Sequence, residues 1–234
     1  MVTYLLDIME YADSDQVIEV LGGAVSTRVI RHPNRSFAFE VTLDLEKGSE
    51  HFSTKPPLHF HANQDEFIQA TEGKIGLELE GTEYILLPGQ DEYCIESWAN
   101  HRSYPLELER QEGRTVVKFL LSGAKSPEVY ELNTLFFENW YKYQEHVVRK
   151  GGKIDLIQAL STFDAGGTYV SFPRWVPFGR QVSQLIGIVV GRWLGGLLGY
   201  QPFYREWSTD WQLACDKMES SIFQRRWAVR SKPD

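Results

Sequence analysis

A β-rich first half followed by an α-rich second half is the architecture this sequence predicts, and three observations carry it. "RSFAFEVTLDL", residues 35–45, alternates Phe37, Phe39, Val41, Leu43 and Leu45 with smaller or polar residues, the period of two of a half-buried strand. Beyond it, short apolar runs are punctuated by glycine-containing turns every 8 to 12 residues or so, which points to an antiparallel sandwich or barrel. At Ser126-Pro127 the texture changes to a recurrence of three or four residues, the period of a helix. The chain of 234 residues is 42% hydrophobic and 13% aromatic, enough for one sizeable core with or without a helical appendage.

Residues 1 to about 25 form a mixed lead-in with no assignable periodicity. "EFIQATEGKIGLELEGTEYILLPG" reads as three strands with turns at Glu72-Gly73 and Glu80-Gly81, and "EYCI" and "RTVVKFLLSG" read as further strands. The boundary then falls between residues 1–125 and 126–234, with the second part expected to be a helical extension packed on the β-domain. Ser126 as N-cap and Pro127 at the first helical position predict a helix over 127–150. Val129, Leu132, Phe136, Trp140, Tyr143 and Val147 supply its apolar face and Gly151-Gly152 its stop. "KIDLIQALSTF" predicts a shorter helix, and "FPRWVPFG" a proline-broken connection.

Charge and cysteine content exclude some functions. A formal charge of −8 argues against nucleic acid as a partner, since phosphate binding needs clustered cations. The exception is a short basic end, Arg225, Arg226, Arg230 and Lys232, which reads as a solvated terminus. Cys94 and Cys215 make no metal or redox motif. "MVTYLLDIMEYADSD" lacks the basic and long apolar regions of a secretory signal. Together these predict an intracellular, cytoplasmic protein.

The chemistry concentrates in "PPLHFHANQDEFIQATEG", residues 56–73. On a strand, residues two apart share a face, so His59 and His61 project together while Phe60 points the other way. Two imidazoles hold a metal ion only with further ligands from neighbouring segments. Glu66 opens the next strand and is placed to supply one; Gly73 makes the sharp turn out of that strand. The fourth candidate is His101, at the end of "LLPGQDEYCIESWANH". Three imidazoles and a carboxylate suit a divalent transition metal, iron first, with zinc, manganese, nickel or copper as alternatives, and leave positions open for a reactant.

The spacing His59-x-His61-x4-Glu66-x6-Gly73 resembles the first motif of the cupin superfamily, with every metal-binding position filled. The second cupin motif is recognisable over residues 88–101, with His101 where a ligand is expected and Gly89 near its usual place. The resemblance spans roughly residues 35–122. Departures fall at turn positions: Ser53, Glu96 and Trp98 stand in place of a glycine, a proline and a glycine, and Pro105 in place of an asparagine. The resemblance implies one cupin β-barrel (a double-stranded β-helix or jelly roll) whose metal is held by His59, His61, Glu66 and His101. It also implies a homodimer, and Trp98 near the rim would narrow the mouth of the barrel. A single cupin followed by an aromatic-rich helical part looks like the small fungal cupin-domain proteins of natural-product pathways. That implies a metal-dependent oxidoreductase or dioxygenase acting on a small, aromatic or polyketide-like molecule. The alternatives are a non-redox isomerase or cyclase, or a metal- or small-molecule-binding cupin without turnover.

The run "VSQLIGIVVGRWLGGLLGY" spaces Gly187, Gly191, Gly195 and Gly199 four apart, a small-residue face for close helix packing. Aromatic residues flank it. Three partners are weighed for this stretch: the barrel or a second copy, a membrane surface touched through 175–207, or a bilayer spanned outright. Arg192 near its middle counts against the last.

Overall fold

The computed structural model describes residues 12–230, apart from 108, 110 and 111. Residues 1–11 of the lead-in, and Lys232 of the basic end, lie outside them. The rest of the lead-in is β-structure: β1 (Ala12–Val20) and β2 (Val25–Arg31) pair antiparallel. They run into β3 (Arg35–Asp44), the alternating strand of the sequence, where Phe37, Phe39, Val41 and Leu43 are all buried. Then follow β4 (His59–His61), β5 (Glu66–Glu72), β6 (Ile75–Leu79), β7 (Thr82–Leu86), β8 (Tyr93–Ile95), β9 (His101–Pro105) and β10 (Val116–Ala124). A last strand, β11 (Thr168–Val170), lies among the helices and carries no period the sequence reveals.

The strands make two sheets, of order β1-β2-β3-β10-β5-β8 and β11-β4-β9-β6-β7. Sequence neighbours such as β4 and β5 thus fall in different sheets, the crossing pattern of a jelly roll rather than a meander. The fold is two antiparallel β-sheets with a helical C-terminal region, and no hydrogen-bonded strand closes the two sheets into one barrel among the described residues. Gly73 takes φ 71° at the β5–β6 turn, where a Cβ would also meet the Glu109 carboxylate at 2.9 Å.

Two compact units divide the chain. One takes the residues up to His59 together with Gln64–Ser126, and its core includes Phe39, Ile68, Ile75, Leu77, Ile95 and Val117. The other takes Phe60–Asn63 together with the chain from Pro127 onward. Its core gathers Leu135, Ala165, Phe203, Ala214 and Met218, with Trp211 and Trp227 packed on them.

In the second unit the helix expected from residue 127 begins later: α1 spans Thr134–Arg149. Asn133 caps it, its side chain accepting the Phe136 N–H at 3.1 Å. Ser126-Pro127 does not start a helix because the carbonyls that follow are taken by side chains. Tyr130 O accepts from Asn63 Nδ2 at 2.7 Å, and Glu131 O from Lys217 Nζ at 2.8 Å. The predicted short helix is α2 (Leu156–Ala165), capped by Asp155, which accepts from the backbone of Ile157 and Gln158.

The glycine run forms α3 (Gly179–Leu198), and its inner row packs on α2. A Cβ on Gly191 would fall 2.5 Å from the backbone of Leu160, and one on Gly187 2.6 Å from the Tyr169 ring. Gly187–Gly195 has π-helical turns, wider than α, which keep residues four apart nearly in line. Arg192 donates to both carboxylate oxygens of Asp164 on α2, at 2.6 and 2.9 Å, and its guanidinium lies 3.6 Å from the centroid of the Tyr130 ring. The arginine that sits oddly in an apolar run is thus the partner of a buried acid.

A fourth helix, α4 (Trp211–Glu219), carries Lys217 inward. Burial holds its ammonium at about 8, against an ordinary 10.5. Between those values the unfolded chain binds a proton that the folded chain lacks, so stability rises with pH across this window. The increment is about 3 kcal/mol. Denaturant midpoints of wild type and Lys217→Met, compared from pH 7 to 10.5, are expected to show the rise in wild type alone.

Candidate metal centre

β4 and β9 run antiparallel with His59 directly opposite His101, their ring centroids 4.5 Å apart. The alternation of β4 places His61 on the same face as His59 and sends Phe60 away, into full burial beside the Tyr169 ring. Each of His59, His61 and His101 offers one ligand nitrogen, and the three lie within 4.8 Å of one another. Glu66 opens β5 opposite Ile95 on β8, and its Oε2 lies 3.0 Å from His101 Nε2. The carboxylate therefore meets the cluster through His101, whereas the three imidazoles converge on one another. His61, Glu66 and His101 are buried, and His59 is the most accessible of the four.

Hydrogen bonds at the far ring nitrogen turn the same nitrogen of each histidine toward the cluster. His59 Nδ1 lies 3.2 Å from Pro57 O and His101 Nδ1 2.9 Å from Ala99 O, in both cases the carbonyl two residues back. A carbonyl only accepts, so Nδ1 carries the proton and Nε2 is left as the ligating atom. His61 Nδ1 meets the Thr168 hydroxyl on β11 at 3.0 Å, and that hydroxyl donates to Gly166 O at 3.4 Å. The hydroxyl oxygen then accepts from His61 Nδ1–H, with the same result. Burial pulls the His101 imidazole down, but the Glu66 carboxylate and Ala99 O outweigh it, and the net position is above the ordinary 6.5. In the absence of metal, His101 and Glu66 share a proton that a cation would displace.

This donor set fits a divalent transition metal. Three imidazoles in the Nε2-ligating tautomer and a carboxylate in reach make a nitrogen-rich site with positions to spare. Trp98 lies half-buried in the turn between β8 and β9 with φ 67°, the left-handed conformation a glycine adopts without strain.

Thr168 is the residue the sequence gives no means of finding, being 107 positions from its histidine and on an unpredicted strand. Thr168→Val keeps the shape and removes the acceptor. Titration with a divalent metal is expected to show an affinity lower by about 10–100-fold, the usual cost of an outer hydrogen bond to a ligand.

No family model matches the chain. The probable oxidoreductase yanE of Aspergillus niger is 43% identical over 215 residues, covering 89% of this chain and 82% of that protein. The chain belongs to its family. Further fungal relatives include an oxidoreductase of Arthrobotrys oligospora, 37% identical over 95% of this chain and 88% of that one. Another is the epoxidase atD of Aspergillus terreus, 39% identical over 90% of this chain and 68% of that one. Among solved structures, an RmlC-like cupin from Shewanella frigidimarina covers 51% of this chain and 97% of its own, at 13% identity and a TM-score of 0.34. The jelly-roll architecture of this family member rests on its own strand order and register, not on that likeness.

Proposed function

We propose that this protein is a metal-dependent oxidoreductase of cupin type, most simply a dioxygenase, acting on a small aromatic or polyketide-like molecule. One observation carries the proposal: three imidazoles converge within 4.8 Å, each held at Nδ1 so that Nε2 is the ligating atom, in a chain whose relatives are named oxidoreductases. His59, His61, Glu66 and His101 would hold the metal, iron in the first instance. When bound, such an ion polarises a chelated carbonyl or enolate and, if redox-active, couples substrate oxidation to dioxygen.

The chain's own residues set the conditions for that chemistry. Pro57, Ala99 and Thr168 hold the imidazoles at Nδ1, so that Nε2 is the atom turned to the metal. Burial of His61, Glu66 and His101 limits water at the cluster, and without a cation the Glu66 carboxylate accepts from the His101 Nε2–H. A dioxygenase draws all its electrons from the substrate, which suits a chain with no nucleotide-binding fingerprint. The two cysteines are free thiols, in keeping with a reducing, intracellular setting.

The test is to load the purified protein with ferrous ion and incubate it with candidate phenols under air and under argon. Oxygen uptake matched to substrate loss supports the proposal. Turnover that persists under argon replaces it with a non-redox isomerase or cyclase, and tight metal binding without any turnover replaces it with a binding protein.

A further inference from the structure

The outer side of α3 stands in contrast to its inner glycine row. Leu185, Val189, Trp193 and Leu197 recur four apart, and Val189, Trp193 and Leu197 fall two positions from Gly187, Gly191 and Gly195. Where residues four apart stack in line, an offset of two is the opposite side, and these four side chains are exposed. The connection before the helix adds Trp175 and Phe178, 82% and 79% exposed. So many large apolar groups on one helix and its lead-in mark a contact surface.

Charge says what covers it. In a chain with 32 acidic and 24 basic residues, positions 166–205 hold four arginines and no aspartate or glutamate. Arg192 pairs with Asp164, while Arg174, exposed, and Arg180 flank the start of the apolar row. Arg226 reaches the other end of α3, donating to Gly196 O and, at 2.9 Å, to Leu197 O. An apolar row with tryptophans, bordered by cations in an otherwise acidic protein, is the composition of a helix that lies in the interface of an anionic bilayer. A symmetric seam between two copies would oppose these arginines with no carboxylate from the same segment to pair them. A spanning helix does not fit the close approach of Gly191 to the α2 backbone at Leu160, of Gly187 to the Tyr169 ring, or the Arg192–Asp164 pair.

We propose that α3 and residues 171–178 form a peripheral membrane-binding surface for anionic phospholipid, with Trp175, Phe178 and the outer row of α3 entering the interface and the arginines meeting headgroups. The proposal stands apart from the metal centre and survives if that centre binds another ion or none.

Vesicle co-sedimentation of the full chain tests it, with phosphatidylcholine alone against phosphatidylcholine carrying about 30% phosphatidylserine. Binding to the anionic vesicles is expected to be about tenfold or more the stronger, to weaken with added salt, and to shift tryptophan emission to the blue. The double variant Trp175→Ser, Phe178→Ser is expected to lose about tenfold in vesicle affinity, and Arg174→Glu to lose the preference for anionic lipid. Both are surface changes, and unaltered melting temperatures would show the fold intact. The proposal is overturned by equal or absent binding to the two vesicle types, by insensitivity to salt or to both variants, or by membrane retention that resists alkaline extraction. Sedimentation velocity showing a dimer that the double variant dissociates, without vesicle binding, assigns the surface to a second copy instead.

Discussion

Replacing His61 or His101 with alanine is expected to empty the metal centre and abolish turnover. Each supplies one of the three converging nitrogens, and the loss of affinity should exceed the roughly 10–100-fold that an outer hydrogen bond costs. The two variants should differ in stability. His61→Ala removes a buried ring that meets the Thr168 hydroxyl at 3.0 Å. His101→Ala also takes from the buried Glu66 carboxylate the Nε2 that lies 3.0 Å from it, and a buried carboxylate that loses such a partner is held less firmly in its charged form. Metal titration paired with thermal melts separates these effects: both variants lose metal, and His101→Ala alone should recover stability in acid.

Arg192→Met is expected to be the most destabilising change in the helical unit. The Asp164 side chain is 1% exposed and depends on Arg192, with Tyr169 Oη donating to it at 3.0 Å as its other partner. Burial already raises this carboxyl, with Arg192 working against the rise. Removing one member of a buried pair costs about 3–5 kcal/mol. In a chain of this size that lowers the melting temperature by about 10 °C. Asp164→Asn combined with Arg192→Met should regain part of the loss, because no charge is then left buried alone. If Arg192→Met melts with wild type, the pair is not what ties α3 to α2.

Where one strand or helix decides its own placement, the sequence is legible. The alternation of 35–45, the glycine turns after β5 and β6, and the spacing from His59 to Gly73 each encode a local geometry, and the strands appear there. The convergence of His59, His61 and His101 was legible because strand pairing sets it, with His59 registering on His101. Features decided by distant partners were not legible. The helix expected from Pro127 starts at Thr134 because Asn63 and Lys217, from remote segments, occupy the carbonyls of Tyr130 and Glu131. Thr168 holds His61 from a three-residue strand too short to show a period. Arg192 is a cost to an apolar helix taken alone, and only the fold sets Asp164 beside it. The glycine row announced a close-packed face without naming the surface it meets, which is α2.

The central claim is that the imidazoles of His59, His61 and His101, with Glu66, bind one divalent metal. Elemental analysis after loading with ferrous ion and gel filtration tests it most directly, on wild type and on the double variant His59→Ala, His61→Ala. One metal per chain in wild type and essentially none in the variant is the predicted result; a metal-free wild type, or equal metal in both proteins, would contradict it.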